Sequence, residues 1–256
     1  MKILVTFALE SEFAAWRAMR DFRPKKMGNA EAYDAKIDAA DVQVVVTGVG
    51  ARIAGLRARD VLKSNGDSVE FVISSGSAGA ARRPYAIGQV LAARAVKLHA
   101  SGAGNATTIE CSSALVSFAE SCGATIVDRF YTSERAISTR EEKQHIGEFA
   151  DAIEMESFGI LTEAAESGVP AVAIRAVSDL ADENLPLDMN EVFSDEGKVS
   201  IPRVLGQVAR HPGALSGLIK LGQQSKTAAE ALARFLDRYV AIVAERNEVL
   251  NARGAA

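Results

Sequence analysis

Residues 153–179 read IEMESFGILTEAAESGVPAVAIRAVSD. From Ser157 to Ala165 the apolar Phe158, Ile160, Leu161, Ala164 and Ala165 recur at helical spacing, and Gly168 and Pro170 stop the helix. The run Ala171 to Val177 reads as a short buried strand. The predicted unit is strand, helix, strand, which brings the carboxyl ends of both strands to one edge of a parallel sheet. Ligands bind at that edge in open α/β sheets. Glu154 and Glu156 lie at the first strand-to-helix junction, and Asp179 lies at the end of the second strand. Arg175, Ser178 and Asp179 are therefore expected to face the same crevice as Met155 and Glu156. Glu154 points away from Met155 on a strand, and either serves the site or pairs with a base elsewhere.

The segments around this unit add to the same edge. Lys2 to Ala8 reads as a buried strand, followed by Glu10, Ser11 and Glu12 at the head of a helix that contains Phe13 and Trp16. Acids at that place also suit the positive end of a helix dipole. Ala30 to Ala40 reads as an exposed strand and Asp41 to Thr47 as a better one; the latter ends in Gly48-Val49-Gly50 before a helix that runs to Lys63. Glycines between a strand and a helix permit close backbone approach to an anion or a sugar, which makes Gly48 a candidate contact. The third glycine of a dinucleotide fingerprint is missing, so no cofactor is expected. Val69 to Ser74 is a strand that runs into Ser75-Gly76-Ser77-Ala78-Gly79-Ala80, whose small residues leave the backbone N–H groups of Ser77, Ala78 and Gly79 open to a ligand. A tight structural turn uses the same residues. Gln89 to Leu98 and Ala124 to Phe130 read as strands, Ser101 to Asn105 as a loop, and Ser112 to Ala119 as a helix. Thr132 to Gln144 reads as a polar loop leading into a short helix, either a lid over the site or a solvated surface.

Past Asp182 the character changes. Gly197 to Ala229 contains no Asp or Glu, while Lys198, Arg203, Arg210, Lys220 and Lys226 alternate with apolar residues. Such a segment either makes peripheral contact with a membrane or folds back on the core with its lysines outward. Thr227 to Val249 continues as a long helix suited to packing on the body or on another subunit. The expected division is a catalytic domain over 1–184 and a helical C-terminal extension over 185–256.

At 256 residues and 48% hydrophobic, the chain can bury a sizeable core. A formal net charge of −4 argues against nucleic acid as a partner. Cys111 and Cys122 lack metal-ligand spacing, and His99, His145 and His211 are widely separated, so no metal site is expected. The first dozen residues, MKILVTFALESE, carry acids, unlike a signal peptide, and no apolar window reaches spanning length. The expected location is cytoplasmic.

If Glu12, Glu156 and Asp179 share one crevice with the turn at 75–79, they suit proton transfer or glycosidic chemistry, in which carboxylates in different environments divide acid and base roles. Asp179 would give a proton to a leaving group, with Ser178 or Arg175 orienting it. Glu156, beside Met155, would accept two sugar hydroxyls, and Glu12 would activate water. The alternative is an accident of three acids at helix and strand ends.

FALESE at 7–12, TGVGARIAG at 47–55, SSGSAGA at 74–80, IEMES at 153–157 and VAIRAVSDLAD at 172–182 together resemble the nucleoside phosphorylase and nucleosidase superfamily, most closely the methylthioadenosine/S-adenosylhomocysteine nucleosidases. The resemblance covers roughly residues 1–184. It implies a three-layer α/β/α sandwich around a mixed, partly barrel-like sheet, cleavage of the N-glycosidic bond of a purine nucleoside, no metal, and a homodimer or larger oligomer. By position Asp179 resembles the acid that protonates the purine, Glu156 and Met155 the ribose contacts, and Glu12 the residue that positions water. Phosphorylases of the superfamily usually carry an arginine where this chain has Ser74, so water is the expected nucleophile; Arg52 keeps phosphate open as the alternative. Where the nucleosidases stack an aromatic residue on adenine, the comparable segment Ser133 to Ser138 offers Ala136 and Ile137. The segments LPLDMN (185–190) and RHPGAL (210–215) resemble hopanoid-associated phosphorylases, which implies an adenosyl group linked to a polycyclic lipid. A non-catalytic nucleoside-binding protein on the same fold is the remaining alternative.

Overall fold

The computed structural model describes residues 1–27, 30–65, 68–98, 106–194 and 197–254. The segment read as a loop at 101–105 lies outside them. In chain order the elements are β1 (Lys2–Phe7), α1 (Glu10–Arg17), β2 (Arg23–Met27), β3 (Ala30–Ile37), β4 (Ala40–Val46) and α2 (Ala51–Asn65), then β5 (Phe71–Ala80), β6 (Val90–Leu98), β7 (Thr107–Glu110) and α3 (Ser113–Ser121). The chain continues through β8 (Thr125–Thr132), α4 (Arg140–Gly147), β9 (Ala152–Glu154), α5 (Ser157–Glu166) and β10 (Ala171–Asp179), and ends in α6 (Met189–Val192), α7 (Ile201–Arg210) and α8 (Leu215–Gly254).

The expected mixed, partly barrel-like sheet is present. β1 pairs in parallel with both β4 and β5, and β5 pairs in parallel with β10. Such central strands, covered on both faces, are continuous apolar runs, and all nine residues of β10 are buried. The path β10-β6-β8-β9-β5 closes on itself through the β5–β10 pairing, making a barrel-like ring from which β1, β4, β3 and β2 extend. β2 (RPKKM) and β7 (TTIE) are almost wholly exposed, so neither has a hydrophobic pattern that marks it as a strand. Each sits at a sheet margin, held by antiparallel pairing to one neighbour.

The unit at 153–179 differs from expectation in direction. β9 is antiparallel to β5 whereas β10 is parallel to it, so β9 and β10 run oppositely and lie on different flanks of β5. Their carboxyl ends nevertheless converge: Ile153 and Asp179 both pair with Gly79. The meeting point is the second half of β5, not the edge of a parallel sheet.

The core joins the long C-terminal helix to the sheet. Leu232, Leu236, Tyr239 and Val240 of α8 are almost fully buried in the cluster that contains Ile3, Val72 and Ile174. Asp237 of α8 accepts hydrogen bonds from Trp16 Nε1 (3.2 Å) and from Arg20 Nε and Nη2 (2.7 and 2.8 Å), and Tyr239 donates to the Leu115 carbonyl (3.0 Å). Among the described residues no helix is long and apolar enough to cross a membrane.

Candidate active site

The second half of β5 is the floor of the site because its residues are small. At Gly76, whose φ of +149° favours glycine, a β-carbon would stand 3.1 Å from Glu12 Oε1. At Gly79 it would stand 2.8 Å from Asp179 Oδ1. The two glycines thus let one carboxylate from α1 and one from β10 lie against the same strand.

Glu12 sits in the first turn of α1. Its Oε1 accepts from the Ser77 amide (2.8 Å) and hydroxyl (2.6 Å), and its Oε2 accepts from the Leu9 amide (3.1 Å). Glu156, at the entry to α5, accepts from the Gly50 amide (3.1 Å) and is 7% exposed. Burial, and after it the adjacent Glu154, pushes the Glu156 carboxyl up to about 8; Glu12 adds to that push, while Arg175 and the Gly50 amide pull the other way. Asp179, also largely buried, accepts from the Ser178 hydroxyl (2.9 Å) at Oδ2 and forms an ion pair with Lys143 at Oδ1.

These groups face one cavity of about 220 Å³. Ser77, Ala78, Gly79, Met155, Glu156, Ser178 and Asp179 line it together with Glu12, Ala136 and Ile137. The backbone of Ala136 is held by Asn190, whose side chain accepts from its amide (2.7 Å) and donates to its carbonyl (3.1 Å).

Two expected contacts are not in the lining. Gly48 is buried in the turn after β4, where its amide donates to the Ala8 carbonyl (3.0 Å), and the next residue, Val49, faces the cavity instead. Arg175 has no exposed surface. Its guanidinium donates to Glu154 Oε2 (2.7 Å), the Ser74 carbonyl (2.8 Å) and the Ser157 hydroxyl (2.8 Å), behind the site. The cause is a bulge: the register shifts between Val177 and Asp179, so two residues of β10 span one step of β5, which takes Asp179 out of the alternation followed by Arg175 and Val177. Arg175 is thus the base that pairs with Glu154, whose side chain also accepts from the Thr132 hydroxyl at Oε1 and from the amides of Glu156 (3.0 Å) and Ser157 (2.7 Å) at Oε2. Glu154 in turn fixes the junction from which Met155 and Glu156 project.

The sequence reading missed the residues that close the cavity. Lys143 on α4 is 1% exposed, although lysines on a charged helix ordinarily face water; its only sequence signal is a place one turn before the buried Ile146. Leu185, Met189, Phe193, Leu221 and Ser225, all beyond β10 in the chain, also line the cavity. Arg52, the other cation considered for phosphate, is exposed and lies outside the lining.

Among solved structures, the chain is similar to the futalosine hydrolase of Helicobacter pylori, with 19% identity and a TM-score of 0.72 over 94% of this chain and 97% of that one. It is similar in the same way to the 5′-methylthioadenosine/S-adenosylhomocysteine nucleosidase of Neisseria meningitidis in complex with methylthio-immucillin-A (21%, TM-score 0.72, 94% and 98%). The S-adenosylhomocysteine nucleosidase of Streptococcus pyogenes is a third such structure (20%, TM-score 0.72, 94% and 96%). At these identities the likeness establishes the shared fold. The family model described as the phosphorylase superfamily matches residues 2–210, most of the chain, and the chain therefore belongs to the phosphorylase superfamily.

Proposed function

We propose that the protein is an enzyme that hydrolyses the N-glycosidic bond of a purine nucleoside, with adenine as the favoured base. The observation that carries this reading is the convergence of Glu12, Glu156 and Asp179 on one cavity floored by Ser77, Ala78 and Gly79. In the proposed mechanism Asp179, oriented by Ser178, protonates the departing base, which lies beside Ala136 and Ile137. Glu156 holds the ribose hydroxyls as positive character develops on the sugar, Met155 packs against the ring, and Glu12 takes the proton of the attacking water. Similarity in fold to proteins named nucleosidases and a hydrolase supports the assignment.

Water is favoured over phosphate because Glu12 already occupies the Ser77 amide and hydroxyl, the donors that an anion would need, and a carboxylate there repels one. Base release from a panel of adenine, hypoxanthine and guanine nucleosides, including 5′-thioether forms, tests the reading. Adenine and free sugar are expected without phosphate. An absolute need for phosphate, with ribose 1-phosphate as product, overturns it. We assign the active assembly as a cytoplasmic homodimer, to be measured by sedimentation.

The extension favours a more specific substrate, an adenosyl group that carries a lipid. Leu185, Met189, Phe193 and Leu221 give the cavity an apolar end. Next along the chain, α7 is turned inside out: Gln207 is buried, its amide bonding the Asp188 carbonyl (2.9 Å), while Ile201 and Leu205 are each 63% exposed. This face, with the cations Lys198, Arg203 and Arg210 on or beside α7, suits peripheral contact with an anionic membrane surface.

A further inference from the structure

Among the described residues Lys143 is the one buried lysine, and its surroundings specify its charge. Its Nζ donates to Asp179 Oδ1, to the Leu180 carbonyl (3.0 Å) and to the Glu183 carbonyl (3.0 Å). Three acceptors match the three hydrogens of an ammonium; a neutral amine would set its lone pair against one of them. Burying such a pair is rarely more stabilising than an apolar replacement of the same volume, so stability alone does not account for it. Neighbouring charges are engaged elsewhere. Glu183 faces Lys220 (2.6 Å) and Gln224 on α8, Asp182 pairs with Arg83, and Glu142 on α4 pairs with Arg135. Lys143 also borders the cavity itself.

We propose that Lys143 is the positioning residue of Asp179 and holds the proton that Asp179 passes to the leaving base. This rests on the hydrolytic reading above. In the ground state the pair is an ammonium and a carboxylate, with one transferable proton between them. As the C1′–N bond breaks and its electron pair passes to the base, Asp179 delivers a proton to the base nitrogen and takes one from Lys143 Nζ. Water adds to C1′ and gives its proton to Glu12. Asp179 ends ionised as it began, Lys143 ends neutral and Glu12 ends protonated, and exchange with solvent returns the proton from Glu12 to Lys143. The sum is nucleoside plus water giving base plus sugar.

The role separates from a structural one by leaving group. Lys143→Met keeps most of the stem and removes the proton; Lys143→Arg keeps a cation that gives up no proton in the working range. Both are assayed on the purine nucleoside that the wild type cleaves and on a nitrophenyl riboside, whose leaving group departs without protonation. Loss of general-acid assistance should lower kcat on the purine nucleoside by about 10²–10⁴-fold in both variants, with the nitrophenyl riboside within a few-fold of wild type. Equal losses on both substrates in folded protein would make Lys143 a brace for the 180–183 turn and overturn the proposal. So would wild-type rates in Lys143→Arg, whose milder change also covers the case in which Lys143→Met does not fold. A wild type that releases neither purine nor nitrophenol from these substrates sinks the hydrolytic reading itself, and this one with it.

Discussion

Each acid of the site owes its behaviour to its immediate partners, and two substitutions expose this. Glu156 is held up to about 8 by burial and by Glu154. An acid whose folded value lies above its unfolded one contributes stability that is complete below the ordinary glutamate range and is lost as pH rises through the folded value. The wild type should therefore lose up to about 1.4 kcal/mol per pH unit relative to Glu156→Gln between the ordinary glutamate range and about 8. Thermal or urea unfolding of both proteins at pH 5, 7 and 9 measures the gap; a constant gap would show that the native carboxyl is already ionised. Asp179→Asn removes the proposed proton donor and should lower kcat by about 10²–10⁴-fold in protein that retains its circular dichroism. Wild-type turnover in that variant would remove Asp179 from the mechanism. Glu12, Glu156 and Asp179 were legible in sequence as acids at the ends of predicted elements, a place that also suits acids for helix-dipole reasons, and the structure adds that the three line one cavity. Arg175 was misplaced because a bulge has no signature in the alternation of side chains. Lys143 was missed because charge on an amphipathic helix is ordinarily read as facing water.

At the scale of elements, the site depends on how closely β10 lies against β5. Gly79 is the clearest test. The nearest obstacle to a side chain is the Asp179 carboxyl, with Oδ1 2.8 Å from where a β-carbon would be and its Cγ and Oδ2 at 3.3 Å. Gly79→Ala should therefore displace the carboxyl while sparing the fold, and a shift near 1 Å in a reacting group costs on the order of 10²-fold in rate. A variant with unchanged kcat/KM would show that Asp179 can move without loss. Arg175 gives the opposite pattern. Removing one partner of a fully buried pair typically costs about 3–5 kcal/mol, so Arg175→Met should lower stability by that order, read by urea unfolding. Strands with apolar runs were legible from sequence, but strand direction was not. β9 has three residues, and only its backbone pairing, antiparallel to β5 and parallel to β8, decides which way it points. That pairing turns Met155 and Glu156 back along β5 toward Ser77.

Over the whole molecule, the stretch without acids at 197–229 was readable as basic and amphipathic, but its sequence left open which way the apolar residues turn. The structure divides it. From Ala228 onward α8 turns its apolar side into the sheet, with Leu232, Leu236 and Val240 buried. Before that point, Ile201, Leu205, Leu215 and Ile219 are 63, 63, 53 and 57% exposed, while Leu221 and Ser225 reach the cavity. One helix thus anchors the fold, walls the site and carries part of an exposed apolar face. Deleting the extension would remove core residues and test only folding, so the membrane proposal needs point changes on the exposed face. The double variant Ile201→Glu and Leu205→Glu replaces two apolar side chains with anions on the outward side of α7. Full burial of each is worth about 1.5–3 kcal/mol, and each new charge adds repulsion from an anionic surface. Co-sedimentation with phosphatidylserine-containing vesicles should fall at least tenfold in the variant. Turnover of a soluble nucleoside should stay unchanged, because neither residue lines the cavity. Equal vesicle binding by the two proteins would detach the apolar face from lipid. A change of oligomeric state in the variant, with vesicle binding absent from both proteins, would assign that face to a second copy of the chain.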